Sequence, residues 1–460
     1  MKLQVKKIIE ICEGTLLCGN EELIISSFSK DTRTIQKNDC YVGIKGESFD
    51  GNAFYEEAFQ KGASACLLDS FEGALQDEDE RVIILVKDTV IALQKLAAYV
   101  RSQLNIPVIA VTGSVGKTTT KDLIASLLSQ KYKVLKSPGN LNGQIGLPLN
   151  ILKYQDEDVL VLEMGMNDFG QIETLSKIAQ PTIAVITNIG TAHLGILGSR
   201  ENILKAKLEI LSGMANETPI VLNYDNDLLK DVKLENHPTI FCSTKEKMDY
   251  YATDIHVTKE KTEFAVHTQN KKEVIKLPLM GEIFVSNALL AIAVGSLLNL
   301  DLATMKQGLE NLNTQNTHMQ FISLKNGSTL IDDSYNSNLE ALASALKTLL
   351  QYPGNRHIAV LGDILELNEY AKTIHEQVGA LKEIQKVDAL FLQGENAYYI
   401  GKSAEKNGLD PQKIHYFTTK EELTHVLSSF LKEKDICLIK ASNGMKFQEI
   451  VESLKNNETI

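Results

Sequence analysis

At 460 residues the chain is longer than one hydrophobic core normally serves, so three domains are expected. Apolar residues make up 43% and charged residues 23%, the balance of a folded globular protein, which excludes a chain dominated by disorder. A formal net charge of -12 excludes non-specific nucleic-acid binding, and any anionic ligand must then be met by local donors.

In chain order, the first fourteen residues carry only a short apolar stretch, Ile8 to Ile11, too brief for a signal peptide or a membrane span. A cytoplasmic protein without membrane insertion is the expectation. Cys12, Cys18, Cys40, Cys66, Cys242 and Cys437 form no CxxC pair and read as reduced thiols. From Leu3 to about Gln103 short strands and turns alternate, with a helix over Phe54–Lys61 and an apolar strand over Arg81–Val86. Val90, Leu93, Leu96, Ala97 and Val100 recur at helical spacing, predicting a helix over Asp88–Gln103 that ends before Pro107. Residues 1–103 are therefore expected to form a small α/β domain.

Residues 104–314 read as the central domain. The strand-like runs VIAVTG, VLVLEMG and IAVITNIG are nearly continuous in apolar residues, and a helix from Thr118 to Gln130 separates the first two. Such strands, four in the count made from the sequence, predict a parallel sheet covered on both faces. Residues 315–460 carry strands at Thr329–Ile331, His357–Leu361, Ala389–Leu392 and Ile436–Lys440, with helices at Leu339–Leu350 and Ile374–Lys382. This third domain reads as Rossmann-like, and the whole as α/β.

The segment Val111-Thr-Gly-Ser-Val-Gly-Lys-Thr-Thr-Thr120 ends a strand and opens a helix. Gly113 and Gly116 permit close backbone approach, amides from Ser114, Val115 and Thr119 face an anion, and Lys117 adds a point charge. The Thr118 hydroxyl suits Mg²⁺. The generic phosphate loop places a glycine at the position of Val111, so this is a shortened form, and a bland strand–turn–helix is the alternative. Glu163 closes one strand and His193 follows another, where ligands collect in open α/β sheets. A carboxylate and an imidazole there suit a divalent cation; each alone would read as structural.

TGSVGKTTT, GNLNGQIGLPLNIL, LEMGMNDFGQIETL, ITNIGTAHLGILGSRENILKAKLEIL and DDSYNSN together resemble the Mur ligases. Asp31-Thr-Arg33 with the KGESFDG block from Lys45, and LGDILELNEYAKTIHEQVG from Leu361, extend the resemblance over nearly the whole chain. It implies a monomeric ATP- and Mg²⁺-dependent peptide ligase of cell-wall precursor synthesis. The reaction implied activates the carboxylate of a UDP-muramoyl tripeptide as an acyl phosphate, which the amine of D-alanyl-D-alanine attacks.

The resemblance also implies roles. Thr118 and Glu163 would bind Mg²⁺, with His193 and a carbamylated Lys207 at a second metal position. Asn287 would meet adenine and Asp333 the ribose. Asp31, Thr32, Arg33 and Lys45 would face the uridine nucleotide, Asn140 and Asn142 the muramoyl substrate, and Asn336, Asn338 and Asp363 the dipeptide. Without the family, Lys207 reads as a solvated helix lysine, Arg33 as a surface arginine and Asp333 as a turn residue. Four positions depart from the pattern: His318, Ala441 and Asn443 where relatives carry arginine, glycine and arginine, and Ile283 at a histidine position. A different amine substrate, such as a dipeptide ending in D-serine or D-lactate, diaminopimelate or lysine, stays open, as does a paralogue impaired in turnover.

Overall fold

A computed structural model of the chain describes residues 2–46, 48–73, 81–269, 271–313 and 319–456. Three main sheets follow one another along it. The first has five strands in the order Thr15–Cys18, Val82–Leu85, Ala65–Leu68, Asp39–Val42, Ser27–Ser29, all parallel except the first pair. The expected helix follows it as Thr89–Ser102, started by Asp88, whose carboxylate accepts the Ile91 N–H at 2.8 Å.

Arg101 near the end of that helix is buried, yet each of its three side-chain nitrogens finds an acceptor. Its guanidinium reaches the carbonyls of Ala179 at 2.7 Å, Leu104 at 2.7 Å and Gln180 at 3.0 Å. One apolar core accordingly runs from Leu93 and Leu96 into Leu147 and Leu175 of the central region.

The central sheet has nine strands rather than four. Seven run parallel, in the order Tyr250–Val257, Thr239–Ser243, Ile220–Asn223, Ile183–Ile186, Val108–Thr112, Val159–Glu163, Val134–Lys136. Thr262–His267 and Lys272–Leu277 extend it antiparallel at one edge. Most of the additional strands lie towards the edges, where half-exposed positions break the apolar run that makes a central strand readable; Ile220–Asn223, buried at the middle of the sheet, is too short a run to stand out. Beneath the sheet, Lys117–Leu128 packs on Ile283–Leu297, in which every residue from Val285 to Gly295 is buried. A helix apolar all round has no free face; here the sheet and the neighbouring helices cover it.

The third sheet has six strands, Gln320–Ser323, Thr329–Asp332, Asp435–Lys440, Arg356–Gly362, Ala389–Gln393 and Ile414–Phe417, with only the first pair antiparallel. The helix expected at Ile374–Lys382 is Ala371–Gly379. Its last residue is Gly379, where the neighbouring helix passes so close that a β-carbon would stand 2.2 Å from the Ile400 carbonyl. The expected boundary at 314/315 and the His318 departure lie outside the described residues. All six cysteines are free thiols, five of them buried. Among the described residues no helix is long and apolar enough to cross a membrane.

Candidate active site

A cavity of about 490 Å³ opens at the carboxyl ends of the central strands and is closed on its far side by the loop 333–338 of the third sheet. Its floor is the turn after Val108–Thr112. Gly113 has φ 150°, and a β-carbon there would fall 1.9 Å from the Thr187 hydroxyl; Gly116 has φ 83° and lies against the Asn287 side chain. Both places demand glycine.

The Ser114 and Val115 amides already donate to the Asn188 Oδ1, at 3.1 and 2.8 Å. Helix Lys117–Leu128 opens with no side-chain cap, since Gly116 offers none, so the amides of its first turn need an acceptor from outside. An anion fits that need, the more so because the helix dipole points its positive end there. Lys117 folds back to the Gly113 carbonyl at 2.8 Å, and burial lowers its pKa while the Glu163 carboxylate opposes the drop.

Glu163 is 1% exposed and fully engaged. Its two oxygens accept from Thr118 Oγ1 at 2.9 Å and Asn142 Nδ2 at 2.7 Å, and the buried Lys121 ammonium stands 3.8 Å away. A hydroxyl and a carboxylate already within 3 Å of each other are a pair of oxygen ligands that a hard divalent cation can enter, replacing the hydrogen bond between them. No group of three acidic, histidine or cysteine side chains forms a protein-only metal cage among the described residues. The oxygen pair of Thr118 and Glu163 is of the kind Mg²⁺ takes, since it keeps waters and phosphate oxygens and uses only one or two protein ligands.

His193 and Lys207 line the same cavity. His193 Nδ1 lies 2.8 Å from Glu366 Oε2 of the third domain's loop, and this contact lowers the Glu366 pKa. Lys207 sits in helix Arg200–Leu208, started by Ser199, whose hydroxyl accepts the Asn202 N–H. At 2% exposure it is no solvated lysine; burial first and the Lys117 charge second push its pKa well below the usual range. That shift is towards the neutral amine, the form that can add carbon dioxide.

The adenine and ribose candidates are brought together too. Asn287, 4% exposed, lines the cavity beside the departure Ile283, and Asp333 lines it from the opposite wall. Asn140, Asn142, Asn336 and Asn338 complete the lining, although the Asn338 side chain also starts helix Leu339–Gln351 by accepting the Ala341 N–H. Tyr335 reaches across to hydrogen-bond Asn140.

Five predicted residues lie elsewhere. Asp31, Thr32, Arg33 and Lys45 belong to the first sheet's loops, where Asp31 and Arg33 form a two-pronged pair at 2.9 and 2.7 Å that holds the Asp31 pKa at about 2. Thr32 donates to Glu57 at 2.9 Å. Asp363 does not line the cavity: its Oδ1 accepts the Asn396 and Ala397 N–H groups at 3.0 and 2.7 Å, at the start of helix Ala397–Lys406. Conversely, Glu366, Tyr335, Asn188 and Lys440 were not singled out as site residues. The first three lie within family blocks and Lys440 heads the KASNG run, but only their contacts across the fold give them a part.

Two family models match, the Mur ligase middle domain over residues 111–295 and the Mur ligase glutamate ligase domain over residues 319–443. The UDP-N-acetylmuramoyl-tripeptide–D-alanyl-D-alanine ligase of Bacillus subtilis (strain 168) is 35% identical over 99% of this chain and 98% of its own length. The ligase of that name from Escherichia coli (strain K12) is 31% identical over 100% of both. Among solved structures, MurF from Acinetobacter baumannii superposes with TM-score 0.89 at 28% identity, covering 99% of each chain. MurF ligase from Thermotoga maritima in complex with ADP does so with TM-score 0.80 at 30% identity, covering 94% of this chain and 97% of its own.

Proposed function

The chain belongs to the Mur ligases, and we propose that it is an ATP-dependent ligase joining D-alanyl-D-alanine to UDP-N-acetylmuramoyl-tripeptide in the cytoplasm, with Mg²⁺ as cofactor. The relatives carrying that name span nearly all of this chain, and a solved neighbour is described with ADP. The observation that carries the reading is the cavity itself. It sets an uncapped helix start, a lysine and a hydroxyl–carboxylate pair opposite amide side chains and a third-domain loop.

On this reading the triphosphate lies on the amides of Lys117, Thr118 and Thr119, and Lys117 leaves the Gly113 carbonyl to meet it. When bound, Mg²⁺ would be held by Thr118 and Glu163 and would neutralise charge on the phosphates. Asn140 and Asn142 orient the tripeptide carboxylate, which attacks the γ-phosphorus; the bond to the β,γ-bridging oxygen breaks and ADP leaves. The dipeptide amine then attacks the acyl carbon and inorganic phosphate departs. Each species is anionic, so the protein's part is positioning and charge compensation. The domains are proposed as residues 1–103 for the uridine nucleotide, with Arg33 as its phosphate partner, 104–314 for ATP and 315–460 for the amine.

Three of the four departures fit a working site. Ala441 is buried, with Gly362 opposite leaving room for its methyl group, and Asn443 lies exposed on a short turn. Ile283 borders the adenine side, where an apolar side chain is compatible with a base.

ADP release should require both the UDP-muramoyl tripeptide and a D,D-dipeptide, and Lys117→Ala should reduce it by about a thousandfold or more. Release without either co-substrate, or survival of the rate in Lys117→Ala, would refute the assignment. A screen of D-alanyl-D-serine, D-alanyl-D-lactate, diaminopimelate and lysine identifies the amine.

A further inference from the structure

Lys440 ends the strand Asp435–Lys440 in the middle of the third sheet and lines the cavity, where a lysine would ordinarily be read as a phosphate ligand. The geometry assigns it another task. Its side chain is 2% exposed, and its ammonium meets Asp333 Oδ2 at 2.7 Å, the Asp333 carbonyl at 3.3 Å and the Asn336 carbonyl at 2.7 Å. Three protons therefore have three acceptors, all on one turn. None is left over for a ligand.

The register explains why the two residues meet. Asp332 pairs with Ile439 in parallel, the Asp333 N–H donates to the Ile439 carbonyl at 3.1 Å, and the next residues, Asp333 and Lys440, leave the sheet side by side. Asp333 carries a carboxylate, 13% exposed, at the wall of a cavity read here as holding a polyanion. An uncompensated carboxylate in that place would repel the ligand and would resist burial.

We propose that Lys440 is a positioning residue for the nucleotide: it neutralises Asp333 and pins the 333–336 turn, so that the carboxylate can accept hydrogen bonds from a ribose without repelling the phosphates. This rests on the nucleotide reading above. It asks of Lys440 something a phosphate ligand would not do, since removing Asp333 should then make Lys440 dispensable.

The test is ADP titration by calorimetry on the full chain, with thermal melting to confirm folding. Wild type should bind, Lys440→Met and Asp333→Asn should each bind about tenfold or more weakly, and the double variant should match Asp333→Asn within about twofold. The KM for ATP should rise in Lys440→Met with the KM for the muramoyl substrate unchanged. Binding by Lys440→Met within about twofold of wild type, a double variant as weak as the product of the two single losses, or an equal rise in both KM values would overturn the proposal. If Lys440→Met does not fold, Lys440→Gln, which keeps a donor without the charge, decides in the same way. Failure of wild type to bind ADP would remove the nucleotide reading and this inference together, whereas normal wild-type binding that Lys440→Met leaves intact removes this inference alone.

Discussion

At the scale of single residues, burial separates side chains that the sequence alone leaves equivalent. Lys207 lies in a charged run, KAKLE, yet it is enclosed and its pKa is depressed. A buried lysine whose pKa is lowered costs stability wherever the unfolded chain holds more of that proton, so stability should rise with pH between the depressed folded value and the unfolded value near 10.5. Lys207→Met is expected to melt above wild type at pH 7, with the gap narrowing as pH approaches 10; a lower melting temperature at pH 7 would contradict this. Asp363 makes the opposite case. It occupies a family block but holds a helix start, so Asp363→Ala should cost about 1–3 kcal/mol of stability by stranding one buried and one half-buried amide, with the KM for the dipeptide changed less than about twofold. Urea unfolding and steady-state kinetics measure the two quantities. Glu163→Gln keeps the shape of a side chain that is already hydrogen-bonded on both oxygens but removes its charge, and should weaken Mg²⁺ dependence of the rate by about tenfold or more without a comparable loss in melting temperature. An unchanged Mg²⁺ titration would exclude Glu163 from the metal position.

At the scale of elements, the strands and helices that build the site were the legible ones. Val108–Thr112, Val159–Glu163 and Ile183–Ile186 are buried on both faces and read as apolar runs, and the glycines of the turn after the first announce a close approach that the structure explains through Thr187 and Asn287. Gly116→Ala would place a β-carbon at φ 83° against Asn287, costing about 1–2 kcal/mol and raising the KM for ATP; a variant that matches wild type in both would refute the packing described. The edge strands of the central sheet were not legible because their half-exposed positions dilute the apolar signal. Pairings between distant residues, such as His193 with Glu366 or Lys440 with Asp333, leave no local pattern at all. They are made by tertiary register, and only a fold shows them.

At the scale of the molecule, the third domain completes a site whose floor belongs to the second. Glu340 accepts from the Thr191 N–H at 3.0 Å and the Thr191 hydroxyl at 2.9 Å, Asn368 donates to the Gly195 carbonyl at 2.8 Å, and Tyr370 donates to Gly198 at 2.7 Å. These bonds hold the loop that bears His193, so the two halves meet where three substrates must gather. The most decisive observation is the electron density of a crystal soaked with Mg²⁺ and a non-hydrolysable ATP analogue. The triphosphate should lie within hydrogen-bond distance of the Lys117, Thr118 and Thr119 amides, with adenine beside Asn287 and ribose at Asp333. An analogue bound elsewhere, or a turn from Gly113 to Gly116 left empty at saturating analogue, would contradict the account.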